Sequence, residues 1–162
     1  ALNLIRSGAD RISINTAVFS NPSLLRIIAN KLGKQAVVLN IEVKKIERKW
    51  ICMTNTGRDQ TGEDVLSWLS KVDTSSIGEI ILTSVDKDGV GNGFDLELLK
   101  LVRKNTQVSL LVHGGLSTIQ QIVNVFELGA QGVLLASALH KNILSIKDIK
   151  SALLAKGVQV RT

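Results

Sequence analysis

The 162-residue chain carries 20 Lys and Arg against 14 Asp and Glu, a net charge of +6, and is 44% hydrophobic but only 3% aromatic. That length and apolar content fit a single domain spanning 1–162 with an aliphatic core and exclude a disordered polar chain; the basic residues are dispersed rather than blocked, which argues against nucleic acid and for small phosphorylated partners. No stretch reaches the roughly 18 apolar residues of a bilayer span and no leader opens the chain, so no membrane association is expected. The lone Cys52 fits a reduced, cytoplasmic protein with no disulfide, no metal and no cofactor.

In chain order, 1–8 reads as the end of a helix, and Asp10–Ala17 as a buried strand. A helix over Pro22–Leu32 follows, with Asn21 as cap, Pro22 at the first helical position and Gly33 as the stop. Ala36–Val43 reads as a second strand. Lys44–Asn55 breaks the rhythm with a second β-like run at Lys49–Thr54 and predicts a short hairpin on one rim. Arg58–Gly62 reads as a loop entering a helix over Gly62–Val72, able to touch substrate or only to cap that helix. Then come a strand at Glu79–Ser84, a helix at Asp95–Lys104, a strand at Val108–His113, a helix at Ser117–Leu128, a strand at Gly132–Ala136 and a helix at Ser145–Lys156. Ser117 and Ser145 stand at the N-cap positions of the last two helices.

The expected fold is therefore α/β, with about five parallel strands and crossover helices. An open doubly wound sheet can stop at five strands, but the glycine fingerprint expected after its first strand is missing. A (β/α)₈ barrel needs three more strands, and its two bare parallel edges would favour self-association. The residues Leu2–Asn21 align without a gap on Val123–Asn142, with Asn3, Gly8, Ala9, Ala17 and Asn21 matching Asn124, Gly129, Ala130, Ala138 and Asn142. Such duplication favours a barrel of two related halves. Each copy ends its strand in small polar residues, Asn15-Thr16 and Ala136-Ser137, where backbone amides and a following helix N-terminus suit phosphate. Two such loops predict a substrate phosphorylated at both ends.

Strand ends supply the other candidates. Thr83-Ser84-Val85-Asp86-Lys87-Asp88-Gly89 lies where barrel enzymes place their sites, and Gly89, Gly91 and Gly93 would let the loop fold over a ligand. His113-Gly114-Gly115 ends the next strand, where paired glycines can turn amides toward an anion; His113 is read as structural or substrate-lining. Glu42 ends an apolar strand, where a carboxylate needs a partner such as Lys44 or a task as general acid or base. Arg11 and Glu79 begin their strands and would pair across the barrel floor if both point inward.

The ordered set Ser13-Ile14-Asn15-Thr16, Ile41-Glu42-Val43-Lys44, Gly78–Ser84, Asp86-Lys87-Asp88-Gly89, Gly114-Gly115, Ala136-Ser137 and the closing Lys156–Arg161 resembles the cyclase subunit of imidazole glycerol phosphate synthase. The resemblance covers essentially the whole chain and implies the C-terminal five-eighths, roughly, of a (β/α)₈ barrel whose first three strands are absent. It implies an enzyme of histidine biosynthesis, a lyase that uses ammonia from a glutaminase subunit to split and cyclise a bis-phosphorylated ribulosyl intermediate. The products would be imidazole glycerol phosphate and an aminoimidazole carboxamide ribotide. It further implies Asn15 and Thr16 around one phosphate and Asp88, Gly89, Gly115, Ala136 and Ser137 around the other, with Gly114 beside them. Glu42 takes the place of a catalytic aspartate; Lys44, Thr83 and His113 would line the substrate. Arg11 and Glu79 would form the ammonia entrance, and Asp10 would lie at the glutaminase interface.

Three departures accompany the resemblance. The family's second catalytic aspartate belongs to the first strand, Glu42 is one methylene longer than aspartate, and His113 replaces a small serine. These residues alone are therefore expected to be inactive. Two alternatives remain open at this point: a paralogue in nucleotide-sugar amidination, and a non-catalytic phosphate-binding or oligomerising half-barrel.

Overall fold

The parallel wall of the fold follows from alternation within its apolar strands. In β2 (Val37–Ile46), Val37, Leu39, Ile41 and Val43 are all but fully buried, whereas Asn40 and Glu42 between them are only partly covered. Successive side chains of a strand point to opposite faces, so one face of β2 meets the helices and the other carries polar groups into a cleft. The computed structural model describes residues 1–161.

The first part of the chain forms α1 (Leu2–Arg6), β1 (Ile12–Ile14), α2 (Thr16–Ser20), α3 (Leu24–Leu32), β2, β3 (Lys49–Thr54), β4 (Asp59–Asp64) and α4 (Val65–Lys71). The second forms β5 (Glu79–Ser84), α5 (Leu96–Asn105), β6 (Ser109–His113), α6 (Ile119–Glu127), β7 (Gly132–Leu134), α7 (Ser137–His140) and α8 (Ile146–Ala155). Among the described residues no helix is long and apolar enough to cross a membrane.

The five parallel strands lie side by side as β1-β2-β5-β6-β7, in the order in which the chain makes them. A doubly wound sheet would reverse direction at a switch point; strictly sequential neighbours are the arrangement of a barrel wall. The fold is accordingly a partial (β/α)₈ barrel. Its helix-facing layer is aliphatic: Leu39, Ile41, Ile80, Leu82, Leu110 and Val112 are fully buried. Each such side chain contributes about 1.5–3 kcal/mol of transfer free energy.

Helix ends explain most boundary shifts from the sequence reading. The first strand is shorter than Asp10–Ala17, because Asn15 ends it and Thr16 opens α2. The helix expected from Pro22 begins at Leu24, because 21–23 form a turn in which the Ser23 hydroxyl donates to the Asn21 side chain at 2.6 Å. Gly33 ends that helix at φ 82° as expected. The cap of α6 is Thr118 rather than Ser117: Thr118 accepts from the Gln121 amide and Gln121 returns the bond, a reciprocal capping box. Ser145 does cap α8.

The rim hairpin is larger than expected. β2 runs on past the parallel wall to Ile46, pairs antiparallel with β3, and β3 pairs with β4. Arg58–Gly62 is thus not a helix-entry loop; it supplies most of β4, and Asp64 caps α4 by accepting from the Leu66 amide at 3.0 Å. The hairpin is latched to α5. The Trp50 indole donates to Asp95 at 2.7 Å, Lys45 lies 4.7 Å from the Trp50 ring centre, and the Lys45 ammonium pairs with Glu97 at 2.8 Å.

Candidate active site

Parallel register sets Glu42 of β2 opposite Thr83 of β5, and Thr83 opposite His113 of β6. Three polar side chains thus form one row at the C-terminal ends of three adjacent strands, on the face turned away from the helices. They line a cleft of about 550 Å³, with Asn40, Ile81 and Asp88 beside them and the β3–β4 turn over one end. Leu134 of β7, the register partner of His113, continues the row as an apolar wall.

Both carboxylate oxygens of Glu42 are engaged. One accepts from the Asn40 side-chain amide at 3.1 Å and the other from the Gly57 backbone N–H at 2.8 Å. Gly57 is the third of three successive residues with positive φ, after Asn55 and Thr56, and this turn brings its amide over the strand end. No ion pair joins Glu42 to Lys44. Lys44 is exposed and does not line the cleft, contrary to its expected role, because β2 leaves the wall there and Lys44 pairs with Ile51 in the hairpin.

Thr83 is nearly buried and its hydroxyl donates to Asn40 Oδ1 at 3.3 Å. His113 is partly open to the cleft rather than buried in a hydrogen-bonded socket. Its Nε2 lies 3.9 Å from an Asp88 carboxylate oxygen, beyond hydrogen-bond reach.

Next to this cleft is a small recess where Asp88, His113, Gly114, Gly115, Ala136 and Ser137 come together. The glycines here are required by close approach. A Cβ at Gly114 would stand 2.7 Å from the Ser84 carbonyl oxygen, and one at Gly115 2.5 Å from that of Gly93. Gly89 is not part of the recess; it is exposed with open space around it. α7 has only four residues, so its dipole adds little to this pocket.

The other expected anion loop is built differently. The Asn15 side-chain amide donates to the carbonyls of Asn40 at 3.1 Å and Met53 at 3.2 Å. The Thr16 hydroxyl donates to Asn15 Oδ1 at 3.2 Å and accepts from the Asn55 amide at 3.0 Å. These two residues tie β1 to the hairpin, and neither lines the cleft. At the opposite end of the strands Arg11 pairs with Glu79, one of the two arrangements the sequence allowed, and the Glu79 carboxylate pushes the Arg11 guanidinium further up its already high range through a hydrogen bond and charge. Asp10 is exposed just before β1.

A protein-family model described as "Histidine biosynthesis protein" matches residues 1–145. The chain belongs to the histidine biosynthesis protein family. Three relatives carry the name imidazole glycerol phosphate synthase subunit HisF. That of Saccharolobus solfataricus is 40% identical over 158 residues, covering 97% of this chain and 63% of the relative. That of Thermotoga sp. is 37% identical over 161 residues, 99% and 64%. That of Prochlorococcus marinus is 39% identical over 163 residues, 98% and 63%. The chain therefore spans a little under two thirds of the length of these relatives.

Within this family member, sequence reasoning reached Glu42, Thr83, His113, Asp88 and the glycine pair, which the fold gathers. It missed Asn40, Thr56 and Gly57. Asn40 carried a readable signal: it is a polar residue two positions before Glu42 in an otherwise aliphatic strand, hence on the same face. Gly57 left none, because its contribution is a backbone N–H brought in by a turn.

Proposed function

We propose that this protein acts as an ammonia-dependent cyclase of histidine biosynthesis, forming imidazole glycerol phosphate and an aminoimidazole carboxamide ribotide from a bis-phosphorylated ribulosyl intermediate. The observation that carries the reading is a fixed carboxylate, Glu42, in a polar cleft at the C-terminal strand ends of a barrel wall, in a chain similar to HisF subunits along almost all its length.

In this reading Glu42 moves protons during ring closure as general acid or base, with Thr83 and His113 contacting the substrate. The recess at Gly114, Gly115, Ala136 and Ser137 takes one phosphate, with Asp88 at its rim. Asn15 and Thr16 mark the region of the other phosphate and shape it through the backbone, since their side chains are already bonded. Ammonia comes from a glutaminase subunit docked near Asp10 and enters past the Arg11–Glu79 pair. A second acid, on a strand outside these 162 residues, completes the pair, so this stretch alone is not expected to turn over substrate. The compartment is taken to be the cytoplasm.

The test is ammonium-supported turnover by the full-length protein, followed by chromatography of both products. Glu42→Gln should lower kcat at least about 10²-fold, the scale of one general acid–base group. Full activity in Glu42→Gln would remove Glu42 from the reaction. Turnover of ammonia into a different product would favour the sugar-amidination paralogue.

A further inference from the structure

We propose that Asn40, together with the Gly57 amide, is a positioning element that holds the Glu42 carboxylate in one orientation. The inference rests on the reading of Glu42 as the acid–base group and says how this chain holds that group in place.

A glutamate has one more rotatable bond than an aspartate, so its carboxylate sweeps a larger volume unless something holds it. Here each oxygen has its own donor, Asn40 Nδ2 at 3.1 Å and the Gly57 N–H at 2.8 Å, and the two donors come from different elements. Asn40 is itself fixed. Its Oδ1 accepts from Thr83 at 3.3 Å, which leaves Nδ2 aimed at Glu42, and its carbonyl accepts from Asn15 at 3.1 Å. The relay Thr83–Asn40–Glu42 crosses from β5 to β2 on the cleft face. The Gly57 amide is held by the turn after β3, where a Cβ at Gly57 would already be 3.1 Å from Val85. With one donor on each oxygen the carboxylate is confined to one rotamer, and loss of either donor frees it to sample others.

The measurement is ¹³C NMR relaxation of the side chains in glutamate-labelled protein, with Glu42→Gln used to assign the Glu42 resonance. Asn40→Ala removes one donor and should lower the order parameter of the Glu42 side chain toward the range below about 0.6 that marks flexible groups. Asn40→Asp removes the donor and sets a second carboxylate beside the first, so it should lower the order parameter as well. Ile28→Ala, which loosens the core under α3 and lines no part of the cleft, should leave it where it is. An unchanged order parameter in both folded Asn40 variants overturns the proposal, as does an equal fall in Ile28→Ala. Because the measurement needs no turnover, the two readings fail separately. A loosened Glu42 in the Asn40 variants of a full-length protein that makes no imidazole product keeps the positioning element and discards the cyclase.

Discussion

Replacing Gly115 by alanine tests whether the recess owes its shape to backbone contact between two loops. Gly115 has φ 82°, a left-handed conformation that costs an alanine about 1–2 kcal/mol. The added methyl would also stand 2.5 Å from the Gly93 carbonyl oxygen and 2.9 Å from that of Lys87. Those oxygens belong to the loop after β5, and the Gly93 amide is bonded to the Gly115 carbonyl at 2.8 Å, so the loop cannot move aside without losing that bond. Overpacking of this kind adds about 1–3 kcal/mol, for a total of about 2–5 kcal/mol. Gly89 is the control. It has φ 75° but nothing within 4 Å, so Gly89→Ala bears only the conformational cost, partly offset by the stiffer unfolded chain. Urea denaturation should place Gly115→Ala below Gly89→Ala by about 1–3 kcal/mol, with a thermal midpoint lower than the parent's by about 5–15 °C. Equal stability of the two variants would refute the claim that contact, rather than φ alone, demands glycine at 115.

Asp95 joins two jobs, accepting from the Leu98 amide at the start of α5 and from the Trp50 indole of the hairpin; Asp95→Ala should cost about 2–3 kcal/mol in a urea titration, against about 1 for loss of a cap alone. Burial first, then the nearby carboxylates Asp64 and Glu63, pushes the Cys52 thiol up to about 12. Native protein should therefore resist a thiol-exchange reagent at pH 8 and react only once urea unfolds it; rapid native labelling would show that β3 opens readily. Glu63 is held below the usual glutamate range by its bond to Lys71, then by that from Ser67. A lowered folded-state value means the contribution is complete above the ordinary glutamate range and is lost as pH falls through the lowered value. Lys71→Met should thus move the acid-unfolding midpoint to higher pH, and an unmoved midpoint would show that the exposed pair contributes nothing.

The residues by themselves determined the α/β class, the sequence of βα units and the gathering of polar side chains at the C-terminal strand ends. β5 was legible to its boundaries, because its apolar run is bounded by Gly78 before and a polar loop after, and each signal is local. Glu42, His113 and the Gly114-Gly115 pair were legible for the same reason: a charge at the end of an apolar strand and paired glycines are visible without knowing what lies opposite. Asn15 and Thr16 were legible as a special loop but not in their bonding, since their partners lie on β2, on β3 and just after β3. β4 was hidden because Arg58–Asp64 has little apolar alternation and becomes a strand only through pairing with β3. Only the tertiary structure decided that Glu42 is held by Asn40 and by the Gly57 amide, and that Lys44 lies outside the cleft. A backbone donor carries no side-chain signature, and the direction of a strand past the sheet edge depends on the partner it pairs with.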